Sequence, residues 1–483
     1  MKFFDSLFDV DLNDEYLVSG LNKELNSIYI YEYFNKSNKN VLVFTNSLFE
    51  ANDFYNRLSC YTDKVLFFPM DDFIASEATA ISPEFMIERL NTLNKLTSDG
   101  KYIVVTNLMG ILRFLPSKSL YKDKIIKIKN NDEFDREKFI SNLYDLGYEK
   151  VPVVTKTGEM AIRGYVIDVF PITYENPIRI EFWGDTIDSI KYFDLDSQIS
   201  NDKIDEAIIY SFTEFLVDSK YEIEEKYRKQ KYLPNFSSSV SGLWNYIDDF
   251  TLFYYDYNQI TTSYNLLRET IIGYDSEVVS DIKTNYMFDI TDIKSNSNIY
   301  MMGIDNILDI KLKNKYNYLS FNIDNYGGNF EKIKNDLDKY ISKGKTVIFC
   351  IDNKNVVKRI VSYLEILDDV ILTTEDNIID GKINIINKYI VNGFMYDKYV
   401  VISTNDLFGK VEERKKKNNK YRVGTKISNI TNLEKGDFVV HIDHGIGQYI
   451  EITTLTKNGL KKDYIKLVYA DGDVLFLPVE MIE

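Results

Sequence analysis

The sequence predicts a multidomain α/β protein. A parallel-sheet domain is entered through a degenerate phosphate-loop turn and carries an inserted β-rich domain. A second small α/β domain follows, and then a small C-terminal β domain. Three observations carry this. Apolar strand runs alternate with helical patterns over residues 16–106. Short period-two strands take over from about residue 123. Strand and helix alternate again from about residue 299 and give way to strands alone after residue 433.

YLVSG (16–20) is a short buried strand, and the helical stretch NSIYIYEYF follows it. NVLVFT (40–45) is a strand, LFEANDFYNRLSCY a helix, KVLFFP (64–69) a strand, PEFMIERLNTLNKL (83–96) an amphipathic helix and YIVVT (102–106) a strand. Parallel strands need crossover helices, so this order implies a sheet covered on both faces. Residues 1–122 form this first domain. In 123–205 the strands shorten and alternate, as in MAIRGYVIDVF and PIRIEFWGDTIDSIKYF, with Gly184 and Asp185 at a hairpin turn. Residues 206–298 return to the first domain. The second α/β domain spans 299–410, with TVIFC (346–350) and YVVIST (399–404) as buried strands and NVVKRIVSYLEIL as the helix between them. Residues 411–430 form a linker, because GKVEERKKKNNKYR (409–422) is strongly charged and lacks apolar periodicity. Residues 431–483 are β-rich. They break off at PVEMIE without tail-like composition, which points to a fragment of a longer protein.

The net charge of −16 excludes a protein that grips nucleic acid with its whole surface. No apolar run approaches the roughly 18 residues of a membrane span. The N-terminus, MKFFDSLFDVDLNDEY, carries acids where a signal peptide has none. A soluble, cytoplasmic protein is expected, with Cys60 and Cys350 as buried free thiols. Two cysteines and two histidines are too scattered for a zinc site. His441 and His444, in VVHIDHGIGQYIEI, would lie on opposite faces of a continuing strand, which suits packing and not shared metal ligation. Gly445 and Gly447 are expected to mark a turn or bulge.

The first strand, turn and helix have phosphate-loop spacing, G-x-x-x-x-G-K-[ST]. The matching residues are Gly20, Leu25, Asn26 and Ser27. Leucine replaces the second glycine and disfavours the backbone that wraps phosphate, and Asn26 brings no charge where lysine should stand. YIVVT leads into Asn107, not into an acidic pair able to hold magnesium. No ATPase activity, catalytic residue or cofactor is expected of this chain. One decoy, the tripeptide Gly344-Lys345-Thr346, runs into a strand and reads as a helix end.

In PIRIEFWGD, alternation puts Ile178, Ile180 and Phe182 on one face and Arg179, Glu181 and Trp183 on the other. Two readings stay open. Arg179 and Trp183 are interface anchors, or Trp183 covers a neighbouring strand while Arg179 pairs with an acid. Arg163, in AIRGYVIDVFP, has similar apolar flanks.

GEMAIRGYVIDVFPITYENPIRIEFWGDTIDSIKYFDLDSQIS resembles the second domain shared by the bacterial repair protein UvrB and the transcription-repair coupling factors, and FFPMDDFIASEATAISPEFMIERLNTL resembles their first. The degenerate loop at Gly20 to Ser27 favours the coupling factors, since UvrB keeps its nucleotide site. VISTNDLFGK (401–410) resembles the end of that family's third domain. LEKGDFVVHIDHGIGQYIEITTLTKNGLKKDYIKLVYADGDVLFLPVE resembles its polymerase-interacting domain, a small Tudor-like β-barrel related to CarD.

The resemblance implies a UvrA-binding surface at Arg163, Arg179 and Trp183, where the family usually has phenylalanine in place of Trp183. It implies binding of the RNA polymerase β subunit by strand pairing around ITTLTKNGLKKDYIKL, with Leu455, Lys457 and Lys461 as contacts. ATP, magnesium and double-stranded DNA belong to the family's motor domains, which are expected to be missing here. A C-terminal domain masks the UvrA surface in the family, so that surface is expected to be open in this chain. The implied role is an adaptor in transcription-coupled nucleotide excision repair. The competing classes are a UvrB-type ATP-dependent DNA enzyme and a CarD-like transcription regulator.

Overall fold

The computed structural model describes residues 2–13, 15–71, 83–195, 197–218, 223–277, 285–303, 310–364, 370–409, 435–441, 445–457, 460–469 and 474–478. After a 3-10 turn at Phe3–Asp5, the first sheet opens with β1 (Glu15–Ser19), α1 (Lys23–Ser37), β2 (Asn40–Thr45), α2 (Leu48–Leu58), β3 (Val65–Phe68), α3 (Pro83–Leu96) and β4 (Ile103–Asn107). Every residue of β2 and β4 is buried, as strands covered on both faces require. Helix α1 starts where the Asn22 side chain accepts from the Leu25 N–H, and stops at Asn38 in the left-handed conformation.

The chain then leaves this sheet. Residues Ile126–Lys129 lead out and pair with Glu206–Ile209, which leads back, so the two form a neck. The excursion contains a helix that period-two reading missed, α4 (Arg136–Asp145). Asp135 caps it, and Phe139 and Leu143 are buried one turn apart. Beyond it lie β5 (Glu149–Lys150), β6 (Glu159–Arg163), β7 (Val166–Val169), β8 (Ile178–Trp183), β9 (Thr186–Phe193) and β10 (Ser200–Ile204). They form one sheet in the order β10-β9-β8-β7-β6-β5, antiparallel except for β5 with β6. Gly184 and Asp185 do sit between antiparallel β8 and β9.

Three later strands rejoin the first sheet: β11 (Phe250–Tyr255), β12 (Ser297–Met302) and β13 (Asn314–Asn317), with α5 (Tyr257–Glu277) following β11. The order is β13-β1-β12-β11-β2-β4-β3, parallel throughout. The mixed α/β expectation holds, with a parallel sheet and separate β-rich regions.

A second six-stranded sheet follows: β14 (Ser320–Asn322), β15 (Thr346–Cys350), β16 (Val370–Thr373), β17 (Ile383–Ile386), β18 (Phe394–Tyr396) and β19 (Tyr399–Ser403). Helices α6 (Phe330–Ser342) and α7 (Lys354–Leu364) accompany it. Its order is β14-β18-β19-β15-β17-β16. Ile348, Cys350, Phe394 and Val401 share a core with β1, α1 and α2. The opposite face packs on Ile333 and Leu337 of α6 and Ile360 of α7. Gly344, with positive φ, ends the turn after α6, and Thr346 opens β15, so G-K-T is a helix end as expected. Both cysteines are free. Cys350 is buried, and burial pushes its thiol well up. Cys60, expected to be buried, is partly exposed because it lies past the last turn of α2.

The chain divides into two compact units, one of residues 1–154 and 158–420 and one of residues 155–157 and 421–483. The second contains an antiparallel meander of β20 (Phe438–His441), β21 (Gly445–Lys457), β22 (Leu460–Val468) and β23 (Val474–Pro478). Tyr449, Ile465 and Leu467 are its core. The charged stretch assigned as a linker, 411–430, lies outside the described residues.

Candidate protein-docking surfaces and a closed phosphate turn

Gly20 has a φ of +80°, which suits a glycine turn. The turn is nevertheless filled by the chain itself. The Tyr318 N–H donates to the Ser19 carbonyl at 2.9 Å. The Ser320 hydroxyl accepts from the Asn22 N–H at 2.8 Å and donates to the Gly20 carbonyl at 2.8 Å. The Asn22 amide donates to Asn322 Oδ1 at 3.1 Å. Leu25, Asn26 and Ser27 lie in α1 and are buried. The Asn26 amide donates to the Leu21 carbonyl, and the Ser27 hydroxyl to the Lys23 carbonyl. Asn107 is equally occupied: its side chain accepts from the Met70 N–H and donates to the Met70 carbonyl. Residues 318–322 therefore meet one backbone N–H of the turn, that of Asn22, and two of its carbonyls, those of Ser19 and Gly20. A Cβ at Gly20 would stand 1.9 Å from the Tyr318 carbonyl oxygen. Gly20→Ala is expected to cost about 3 kcal/mol through strain and a broken joint. A thermal midpoint within a degree of the parent would refute this.

In the β-rich sheet, Ile178, Ile180 and Phe182 are buried, while Trp183 is 83% exposed. Arg179 is mostly covered. Its Nε and Nη2 reach the two oxygens of buried Asp168 at 2.7 and 3.0 Å, and Nη1 reaches the Gln198 carbonyl and the Ser200 hydroxyl. The guanidinium also lies over the Phe193 ring, 4.7 Å from its centroid. Arg163 approaches the same carboxylate at 3.9 Å, with 45% of its side chain in solvent. The structure thus brings Arg163 and Arg179 together on Asp168, with Trp183 free at the far end of β8. Glu181 is held below the usual carboxylate range by hydrogen bonds from Lys191 and Ser189. Sequence reasoning passed over Tyr165, which stands in solvent at 66% exposure between β6 and β7. A tyrosine inside an apolar run gives no sign that it sits at a turn.

In the C-terminal meander, register sets Leu455 opposite Lys462, Lys461 opposite Thr456 and Lys457 opposite Leu460, all at the hairpin end of β21 and β22. His441 ends β20 opposite Gly445, and His444 lies outside the described residues. Gly447 marks neither turn nor bulge. It pairs with Val439 inside β21, and its missing side chain makes room for the Tyr469 ring, 3.1 Å from where a Cβ would be. The bulge falls later, between Tyr449 and Glu451. Among the described residues no cluster of His, Cys, Asp or Glu suits a metal.

Residues 126–215 match the UvrB interaction domain, and residues 433–483 match the CarD-like/TRCF RID domain. Over 97% of its length the chain is 27% identical to the transcription-repair-coupling factor of Bacillus subtilis, and over its whole length it is 26% identical to that of Staphylococcus haemolyticus. The chain resembles the N-terminal portion of a transcription-repair coupling factor. It spans 44% and 46% of those two relatives. The two matched regions contain the two candidate surfaces: Arg163, Tyr165, Arg179 and Trp183 in the first, and Leu455, Lys457 and Lys461 in the second. No helix among the described residues is long and apolar enough to cross a membrane.

Proposed function

We propose that this chain is an adaptor with two protein sockets, acting in transcription-coupled nucleotide excision repair. The β-rich domain, 123–205, recruits UvrA through Arg163, Arg179 and Trp183. The domain of residues 431–483 is a Tudor-like barrel that docks on the RNA polymerase β subunit through Leu455, Lys457 and Lys461. Residues 1–122 and 206–298 form one UvrB-like body whose sheet also takes in β12 and β13, up to Asn317, and whose phosphate loop has lost its function; the rest of 299–410 forms a third domain that closes the loop. The chain hydrolyses no ATP and holds no cofactor. Movement along DNA, with ATP and magnesium, belongs to motor domains of the family. The setting is the bacterial cytoplasm.

The observation that carries this reading is the joint presence, in one chain, of matches to a UvrB interaction domain and to a CarD-like/TRCF RID domain. The exposed Trp183 supports the first socket, and the exposed Phe438 and Ile446 in the meander give the second an apolar surface. The test is capture of purified UvrA and, separately, of the polymerase β subunit by the 483-residue chain. Both are expected to bind, and a nucleotide titration is expected to show no saturation by ATP. Micromolar ATP affinity would favour a UvrB-type enzyme. Failure to capture UvrA, where an isolated second-domain control succeeds, would refute an open socket.

A further inference from the structure

Two hairpin tips meet at one end of the β-rich sheet. One is Gly164 and Tyr165, between β6 and β7. The other is Gly184 and Asp185, between β8 and β9. Gly164 and Gly184 have φ of +60° and +62°, and a Cβ on either would touch nothing within 4 Å, so both tips stand in open space. They are joined all the same. The Phe182 N–H donates to the Tyr165 carbonyl at 2.9 Å. Arg136 donates from its side chain to the Gly164 carbonyl and from its backbone N–H to the Asp185 carboxylate. The Phe134 N–H holds the Asp185 carbonyl at 2.7 Å. Phe182, between the tips, is buried and its ring lies near that of Phe139 in α4. The bracing is thus internal, and the large aromatic side chains left in solvent at this end are Tyr165 and Trp183.

Two large aromatic side chains held in solvent on a braced frame have the composition of interface anchors. The frame is ordered before binding, so little freedom remains to be lost there. We propose that Tyr165, on the hairpin tip next to that of Trp183, is a second aromatic anchor, and that the two side chains enter apolar pockets on UvrA. Arg136 is the positioning residue that braces the two tips that carry them. This rests on the reading of 123–205 as the UvrA socket.

The experiment measures binding of purified UvrA to the full chain and to four variants: Trp183→Ala, Tyr165→Ala, Tyr165→Phe and Leu372→Ala. Leu372 is an exposed residue of β16, on the other α/β sheet. Trp183→Ala and Tyr165→Ala are each expected to weaken binding about tenfold or more. Tyr165→Phe and Leu372→Ala should keep parent affinity, and all four should melt with the parent because the altered side chains are exposed. If Trp183→Ala weakens binding and Tyr165→Ala does not, the second anchor is overturned while the socket stands. If the parent fails to bind, or neither alanine variant matters, the socket reading itself falls and the anchor with it. If Tyr165→Ala instead abolishes self-association in sedimentation and leaves UvrA binding intact, the occupant is a second copy of the chain and the proposal is wrong.

Discussion

Replacing Glu214 by glutamine is expected to lower the stability of its unit by about 3–5 kcal/mol. Glu214 is buried between two arginines. Arg89 reaches it through Nε at 2.7 Å and Nη2 at 2.9 Å, and Arg113 through Nη2 at 2.8 Å. Arg89 also donates to the Pro69 carbonyl, so the triad ties the end of β3, α3 and the chain just past the neck to one point. Burial alone would raise this carboxyl, but Arg113 and Arg89 outweigh it and hold it at about 2. Its ordinary value is 4.5. A depressed folded-state value means stability that is fully present above about pH 4.5 and lost as the pH falls toward 2, worth about 3 kcal/mol. Thermal denaturation of parent and Glu214→Gln at several pH values checks this. The gap between the two melting curves should narrow from pH 5 to pH 2.5. A gap that is absent, or independent of pH, would refute it.

Arg179→Ala is expected to damage the β-rich domain before it affects any partner. It leaves Asp168 buried without its two strongest hydrogen bonds and uncovers the Phe193 ring, a loss of about 3–5 kcal/mol. Arg163→Ala removes a group with nearly half its side chain in solvent, so its melting curve should match the parent's while UvrA capture weakens about tenfold. Reduced capture by Arg179→Ala is therefore to be read against its melting curve. An Arg179→Ala variant that melts like the parent would show that the Asp168 pairing contributes little to the fold.

The open readings at Arg179 and Trp183 divide between the two residues. Arg179 pairs with an acid, and Trp183 covers no strand. Alternation in IRIEFW identified the buried face, because period two is a local property of a strand. The partner acid lies 11 residues away on β7, and nothing local names it. NVLVFT was legible as a buried strand for the same local reason, as was the turn at Gly184 and Asp185. What was not legible is long-range. Glu214 meets arginines 125 and 101 residues earlier in the chain. Ser320 closes a turn 298 residues before it. The phosphate spacing at Gly20 suggested lost chemistry but not that another segment had moved in. At Gly447 the expected turn fails because a glycine that admits a ring looks, in sequence, like one that turns a strand.

The place of β1 in its sheet has a consequence for synthesis. This strand emerges from the ribosome among the first twenty residues, yet its neighbours are β12 and β13, which begin at Ser297 and Asn314. At about 5–20 residues per second, β1 waits roughly a quarter of a minute to a minute without an edge to pair with. The β-rich excursion can close its own ladders and neck long before that, once residue 209 is out. The nascent chain is thus expected to carry a finished middle and an unfinished beginning. Protease pulses on stalled chains ending near residues 260 and 360 would reveal this: the excursion protected in both, β1 only in the longer.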